Sequence, residues 1–284
     1  ELGYNNLVYR THNELDLRIQ SDVIEFFKEE KLDYVFLAAG KVGGIWANNE
    51  YPADFIYDNL MIVSDVVHAS YLNKVKKLIF LGSSCIYPRM APQPIKEEYF
   101  MSGPLEPTNE GYAVAKITGI ELCKFYRKQY GCDFISAMPT NLYGINDNFD
   151  YKTSHVLPAL LRKFHEAKVN GDKEVIMWGT GKPRREFMYV NDLADAVIYL
   201  MNNYSDEIHI NVGTGEDIEI RELVNIIKDV VGFEGKIESD LTKPDGMPRK
   251  LLDVSRLHNL GWQHKTELKD GIRDVYDWYV ENKD

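Results

Sequence analysis

A serine, a cysteine, a tyrosine and a lysine are spaced so that together they could carry out proton chemistry beside a carbonyl group. Ser83 and Cys85 lie in GSSCIYP, directly after the apolar run KLIFLG. Tyr112 and Lys116 stand four residues apart in GYAVAK, so a helix would place them on one face. An ammonium group beside a phenol favours the phenolate. A purely structural role is the alternative, because free cysteines often pack in cores and Tyr and Lys occur on most helices.

The elements that must position these residues are predicted to be alternating strands and helices. NNLVYR, YVFLAAG, KLIFLG and FISAMP are predicted strands, and YVFLAAG is apolar enough to be buried on both faces. Ser21 is the predicted N-cap of the first helix, and the two long helices cover PADFIYDNLMIVSDVVHASYLN and EGYAVAKITGIELCKFYRKQYG. This alternation predicts an α/β fold with a Rossmann-type, doubly wound parallel sheet. Ligands bind such sheets beyond the carboxyl ends of the strands, where AAGKVGG, SSCIYP and PTNLYG fall.

The second half of the chain has a different texture, with longer loops and more Pro, Gly and charge. We predict a cofactor-binding Rossmann domain from residues 1–150 plus 189–213. Residues 151–188 plus 214–284 form a smaller, C-terminal substrate-binding domain in this prediction. One more helix and strand of the main sheet are expected in NDLADAVIYLMN and IHINVG.

Composition excludes several functional classes. The 284 residues carry a net charge of −11 and no Lys/Arg run, which argues against nucleic acid and anionic membranes as partners. The three cysteines lack metal-ligand spacing, so no metal is expected and a reducing cytoplasm is the simplest setting. No apolar run approaches the ~20 residues of a membrane span.

Six motifs stand in a family order along the chain: LGSSCIYP, PTNEGYAVAK, MPTNLYG, WGTGKPRREFMYV, NVGTG and KPDGMPRKLLDVSRL. In this order the chain resembles the extended branch of the short-chain dehydrogenase/reductase family, which acts on nucleotide sugars. KVGGIWANN and SSCIYP are most similar to the GDP-L-fucose synthase family within that branch. The resemblance implies epimerisation at C3 and C5 and NADPH-dependent reduction at C4 of GDP-4-keto-6-deoxy-D-mannose.

The resemblance also implies a role for individual residues. Ser83 would hydrogen-bond the C4 oxygen, Tyr112 would donate its proton in the reduction, and Lys116 would lower the tyrosine pKa and hold the nicotinamide ribose. Cys85 and His155 would be the acid and base of epimerisation. The implied NADP(H)-lining positions are Leu81, Gly82, Ser83, Ser84, Lys116, Pro139, Thr140, Asn141, Leu142 and His155. The implied substrate contacts are Lys163, Trp178, Arg185 and Asp245.

Elementary chemistry supports the pairing of Cys85 with His155. A 4-keto sugar has acidic hydrogens at C3 and C5, and hydroxyl donors can stabilise the resulting enolate. A thiol (pKa ~8.5) and an imidazole (~6.5) suit proton removal and return near neutral pH. Packing remains the alternative for both side chains, and for Asp245 a plain surface loop is an alternative.

Two arginines are expected to bind phosphate groups. Arg185 is the favoured diphosphate or ribose contact, because guanidinium forks bind diphosphates in a bidentate manner and Trp178 offers a flat apolar surface nearby. Arg10, at the end of NNLVYR, favours NADP over NAD. GKVGG lacks the spacing of a dinucleotide fingerprint. The resemblance implies that the Gly-rich turn lies upstream of Glu1, so we expect a truncated chain that binds NADP(H) weakly or not at all.

Two alternatives stay open at this point. Another extended short-chain nucleotide-sugar epimerase or dehydratase would share Ser83, Tyr112 and Lys116 without needing Cys85 and His155. An inactive, fold-retaining binding module is the alternative from a different class. A homodimer is implied by the resemblance, through a four-helix interface of the helices at about 52–72 and 111–130.

Overall fold

A computed structural model of the chain describes residues 3–151, 153–243 and 245–283. The helices are α1 Gln20–Glu30, α2 Ile45–Glu50, α3 Pro52–Leu72, α4 Glu110–Tyr130, α5 Val156–Asn170, α6 Val190–Asn203, α7 Ile220–Val231, α8 Ser255–Asn259 and α9 Leu268–Asn282. The strands are β1 Tyr34–Leu37, β2 Lys77–Leu81, β3 Phe134–Pro139, β4 Asn141–Tyr143, β5 Glu174–Trp178, β6 Arg184–Arg185, β7 Phe187–Tyr189, β8 Ile210–Val212, β9 Ile218–Glu219, β10 Lys236–Asp240 and β11 Arg249–Lys250.

The main sheet is parallel and has the order β1-β2-β3-β8. Both of its faces are covered. Successive β2 side chains enter different cores, Leu78 and Phe80 that of α1, α3 and α4, and Ile79 that of α6. This is the predicted doubly wound α/β arrangement, and the strand and helix expected in IHINVG and NDLADAVIYLMN join it as β8 and α6.

The two long helices begin and end where local chemistry requires. Pro52 occupies the first turn of α3, where a missing N–H costs nothing. Gly131 ends α4 in the left-handed conformation, at φ 72°, and its N–H donates to the carbonyl of Arg127. The predicted bounds of both helices are therefore confirmed.

Three local predictions are wrong. Residues 5–10 form no strand, because they are exposed and no described strand lies beside them to complete a ladder. Ser21 lies inside α1, whose N-cap is Ile19, and its hydroxyl donates to the adjacent Asp22 carboxylate. Strand β1 is buried on one face only, since Tyr34 and Phe36 are 55% and 48% exposed.

The second half of the chain builds three small sheets. These pair β10 with β5, β4 with β7, and β11 and β9 with β6. A separate apolar core joins α5, α7 and α9, whereas Leu252 and Trp262 pack into the cores of the main sheet. The two-domain division stays a prediction. Among the described residues, no helix has the length and apolar character needed to cross a bilayer.

Candidate active site

The turn after β2 presents the serine and the cysteine together. Ser83 is the N-cap of a single 3₁₀ turn, Ser84–Ile86, and its hydroxyl accepts the N–H of Cys85 at 3.4 Å. A Cβ on Gly82 would lie 2.3 Å from Cε of Met138, so a larger residue here would need the Met138 side chain to move. The turn after Gly82 brings the Ser83 and Cys85 side chains to the carboxyl end of the strand.

The first turns of α4 bring the tyrosine and lysine to the same place. Ser83 acts on the hydroxyl of Tyr112 in the direction that lowers its pKa. The ammonium of Lys116 donates to the carbonyl of Leu81 at 2.8 Å and lies 5.6 Å from the centroid of the Tyr112 ring. The structure therefore unites Ser83, Cys85, Tyr112 and Lys116 as the spacing predicts.

Burial dominates the protonation of the tyrosine and the lysine. It raises the pKa of Tyr112, and the hydrogen bond from Ser83 offsets only part of that rise. The net direction is opposite to the one expected from a neighbouring Lys116. Burial likewise lowers the pKa of Lys116 to about 8, against an ordinary value of 10.5. Burial therefore keeps the proton on the Tyr112 phenol, while Lys116, with a pKa of about 8, is still mostly an ammonium at pH 7.

The thiol of Cys85 is enclosed and faces cations. Cys85 is 7% exposed, and burial raises its pKa. Lys250, a hydrogen bond from Ser83 and Lys116 act against that rise, in this order of size. The two ammonium groups favour the thiolate, but burial outweighs them, so the net direction is opposite to the near-neutral pKa expected for a proton-transfer thiol.

Lys250 is the residue that sequence reasoning missed. It lies on β11, which pairs in parallel with β6 so that Lys250 is the register partner of Arg185. Burial lowers its pKa, while Cys85 acts to raise it. The only signal was its position at the end of KPDGMPRK, a segment interpreted as a loop around Asp245.

His155 lies at the other side of this region. It is the N-cap residue of α5 and is exposed to solvent. Burial raises the pKa of Asp147, and the charge of the His155 imidazole acts to lower it. Its loop touches GKVGG, because the N–H of Gly44 donates to the carbonyl of Thr153 at 3.0 Å. Within the described part of the chain, no contact joins His155 to Cys85.

The AAGKVGG loop packs closely beside Lys116. The side chain of Asn59 accepts the N–H of Lys41 and donates to its carbonyl, both at 3.0 Å. A Cβ on Gly40 would lie 3.7 Å from the Lys116 amine and 2.8 Å from Oδ1 of Asn59. Glycine therefore lets the backbone of this loop approach Asn59 and Lys116 at the strand ends.

The PTNL segment closes the same edge of the sheet. Pro139 ends β3, and the N–H of Thr140 donates to the carbonyl of Val212 at 2.9 Å. The amide of Asn141 donates to the carbonyl of Glu186 at 2.8 Å. Four of the predicted cofactor positions, residues 139–142, thus run from the main sheet into β4, where Leu142 packs against the α6 core.

The predicted substrate contacts form a second group, around the end of β5. Trp178 ends this strand and is 68% exposed. Lys163 donates to the carbonyl of Ile176 on the same strand. Asp245 accepts the N–H and the hydroxyl of Thr180, at 2.9 and 2.7 Å. These residues therefore come together as expected.

Arg185 and Arg10 have protein partners. Arg185 donates to the carbonyl of Met247 at 2.6 Å, and burial lowers its pKa, so this cation is partly desolvated. Arg10 pairs with Glu30 and lies 5.2 Å from the ring of Phe26, on the exposed face of α1. The structure does not bring Arg10 into contact with the Ser83 group.

Comparison with known proteins gives a consistent result. Residues 3–213 match the model of the NAD dependent epimerase/dehydratase family. The chain is 60% identical over 282 residues to GDP-L-fucose synthase 1 of Arabidopsis thaliana, covering 99% of this chain and 87% of the relative. It is 54% identical over 291 residues to GDP-L-fucose synthase of Escherichia coli (strain K12), covering 99% and 91%. The solved GDP-mannoheptose C4 reductase from Campylobacter jejuni with NADP bound superposes with a TM-score of 0.90 at 48% identity, covering 98% and 91%.

Proposed function

This chain belongs to the NAD dependent epimerase/dehydratase family, and from its similarity to two GDP-L-fucose synthases over 99% of its length we propose that it makes GDP-L-fucose. Its substrate is GDP-4-keto-6-deoxy-D-mannose, inverted at C3 and C5 and reduced at C4 with NADPH. One observation carries the proposal: the turn that presents Ser83 to the Tyr112 group also carries Cys85, whose anion Lys250 and Lys116 favour. Reduction of a ketone needs no such acid–base group beside the carbonyl, whereas proton removal from the neighbouring carbons needs one.

The epimerisation follows from the positions of these groups. The thiolate of Cys85 removes a hydrogen as a proton from the carbon beside the C4 ketone, and the electrons pass into an enolate. Hydroxyl donors on Ser83 and Tyr112 stabilise the enolate oxygen. His155, across the substrate, returns a proton to the opposite face of the carbon. The same exchange at C3 and C5 inverts both centres.

The reduction uses the same hydroxyls. NADPH supplies the hydride when it is bound at the strand ends. Tyr112 donates its proton to the C4 oxygen, which Ser83 holds by a hydrogen bond. Lys116, anchored on the carbonyl of Leu81, compensates the charge that develops on the phenol and holds the ribose. The AAGKVGG loop and the PTNL segment, which lie at the strand ends beside Lys116, would line the nicotinamide ring and its ribose.

The nucleotide end of the substrate is assigned to the β5 group. Arg185 would hold the diphosphate, with Lys163 beside it. Trp178 presents an exposed ring on which guanine can stack, and Asp245 can accept from the base or sugar. This assignment explains why a large aromatic side chain stays exposed at the end of a strand.

Deuterium incorporation tests the proposal. The protein is incubated with the 4-keto sugar and NADPH in heavy water, and the product is examined by NMR. Deuterium at C3 and C5 of a 6-deoxy-galacto product is expected. Turnover at C4 without deuterium at either carbon would overturn it.

That contrary outcome has its own supporting observation. The similarity to a C4 reductase of a GDP-heptose favours reduction alone as the second candidate function. A nucleotide-sugar 4-epimerase or dehydratase, and an inactive binding module, have no such support. The same labelling experiment therefore decides between the two remaining candidates.

We also propose a homodimer through α3 and α4, and a two-domain division at residues 150, 189 and 213. The three free cysteines suit a reducing compartment such as the cytoplasm.

A further inference from the structure

Glu186 is a fully buried carboxylate that the proposed reaction does not use. It is 0% exposed and lies between Arg185, the diphosphate contact, and strand β7. Its side-chain oxygens accept three backbone N–H groups, those of Thr214 at 2.7 Å, Gly215 at 2.8 Å and Leu252 at 3.0 Å. These donors belong to two segments that are distant in sequence.

Each contact holds a segment of the candidate site. The Leu252 N–H fixes the chain two residues after Lys250, whose charge favours the anion of Cys85. The Thr214 and Gly215 N–H groups fix the turn after β8. The backbone carbonyl of Glu186 accepts the amide of Asn141 at 2.8 Å, in the PTNL segment. One residue therefore links the substrate, thiol and cofactor sides of the site.

The geometry requires a carboxylate. Three N–H donors point at its oxygens, and both oxygens accept, which an amide side chain cannot reproduce because its NH₂ would face an N–H. Gly213 makes the close approach possible, since a Cβ there would lie 2.2 Å from Oε1 of Glu186. Backbone donors also favour the charged form against the burial that raises the pKa of Glu186.

We propose that Glu186 is a positioning residue for epimerisation, which seats Lys250 against the thiol of Cys85 by holding the N–H of Leu252. The inference rests on the proposed function, because it is the acid–base role of Cys85 that gives Lys250 a catalytic consequence. A displaced ammonium would leave the thiol buried without its main cationic neighbour.

The test is Glu186→Gln, with the pH profile of deuterium exchange at C3 and C5 as the readout. The exchange rate should rise with pH as the Cys85 thiol ionises. In the variant this rise should move to higher pH by about one unit, so that exchange near pH 7 falls about 10-fold. Lys250→Met should shift the profile in the same direction. The double variant should shift it no further than Lys250→Met alone, because both changes act through one ammonium.

Glu216→Gln is the matched control, since it removes the same charge from an exposed side chain two residues after Thr214. Gly213→Ala is a second variant, which pushes the carboxylate from the opposite side and should shift the profile in the same direction if Glu186→Gln fails to fold.

Different outcomes would overturn the positioning role of Glu186 and the proposed function. Suppose that the wild type exchanges deuterium, and that folded Glu186→Gln shows an unshifted pH profile with only a lower amount of active protein. That result would overturn the positioning role. An additive shift in the double variant would overturn it too. Absence of exchange in the wild type would instead overturn the proposed function, with the inference that depends on it.

Discussion

At the scale of single residues, the site is governed by burial working against nearby charge. Burial raises the pKa of the Cys85 thiol and of Tyr112 and lowers that of Lys116, so each ionisable group is pushed towards its neutral form. Lys250 and Lys116 oppose this for the thiol. These side chains therefore do not form fixed ion pairs with one another. Their protons remain available for exchange with a bound keto sugar.

The first residue-scale prediction concerns the thiol. Cys85→Ser should lower deuterium exchange at C3 and C5 by ~10²-fold or more, because a hydroxyl is far less acidic than a thiol. NADPH affinity, measured by fluorescence titration, should be unchanged. Cys132→Ser, at a half-buried thiol away from Ser83, is the control. Exchange that survives Cys85→Ser would return this thiol to a packing role.

The second concerns the pH dependence of stability through Lys116. Its folded-state pKa of about 8 lies below the ordinary 10.5, so the unfolded chain binds more protons between these values. Stability contributed by this residue should therefore rise with pH across that window, by up to about 3 kcal/mol. Lys116→Met should abolish that rise, measured as the urea-unfolding free energy of wild type minus variant at pH 8 and pH 10.

The control is Lys124→Met on the same helix, whose side chain is 40% exposed. It should leave the pH dependence unchanged. Equal pH dependence in wild type and Lys116→Met would contradict the lowered pKa.

At the scale of elements, the sequence predicts what local chemistry decides. Pro52 and Gly131 bound α3 and α4, and the order of strands and helices implies the parallel sheet. Whether residues 5–10 form a strand could not be predicted from local sequence, because a strand forms only beside a partner strand. Lys250 also escaped prediction: only the pairing of β11 with β6, and the anchor at Glu186, bring it to Cys85.

The element-scale prediction concerns the crossing of α4 over the sheet. A Cβ on Gly119 would lie 2.4 Å from the ring of Phe80 on β2 and 2.9 Å from Cγ2 of Val63 on α3. Gly119→Ala should destabilise the protein by roughly 1–3 kcal/mol of overpacking, offset by the up to about 1 kcal/mol that alanine contributes to a helix. Urea unfolding measures the difference, with Gln129→Ala on the exposed face of α4 as control. A stabilised Gly119→Ala variant would show that Phe80 can move aside.

At the scale of the whole molecule, the site depends on both halves of the chain. The main sheet supplies Ser83 and Cys85 at its edge. The smaller sheets supply Arg185 and Lys250, while Leu252 packs into the main core and so draws β11 towards Cys85. A nucleotide sugar that spans these groups would bind the two halves at once. This arrangement explains why the chemistry could be predicted from short motifs but its second cation could not.

The last prediction concerns assembly. Helices α3 and α4 carry exposed apolar side chains, among them Tyr57 at 61%, Leu72 at 48% and Phe125 at 51%. Exposed apolar side chains on two neighbouring helices suit a two-fold, self-complementary interface. Light scattering should therefore give about twice the chain mass of 32.8 kDa. Leu72→Glu with Phe125→Glu should yield a single-chain mass, because a dimer would bury unpaired carboxylates.

Leu241→Glu is the matched control, since Leu241 is 71% exposed and lies after β10, away from both helices. It should leave the mass of the dimer unchanged. A single-chain mass for the wild type would contradict the proposed interface, and so would an unchanged dimer in the α3 and α4 variant. Retained deuterium exchange in a monomeric variant would show that each site is complete within one chain, as the contacts of Cys85 with Ser83, Lys116 and Lys250 lead us to expect.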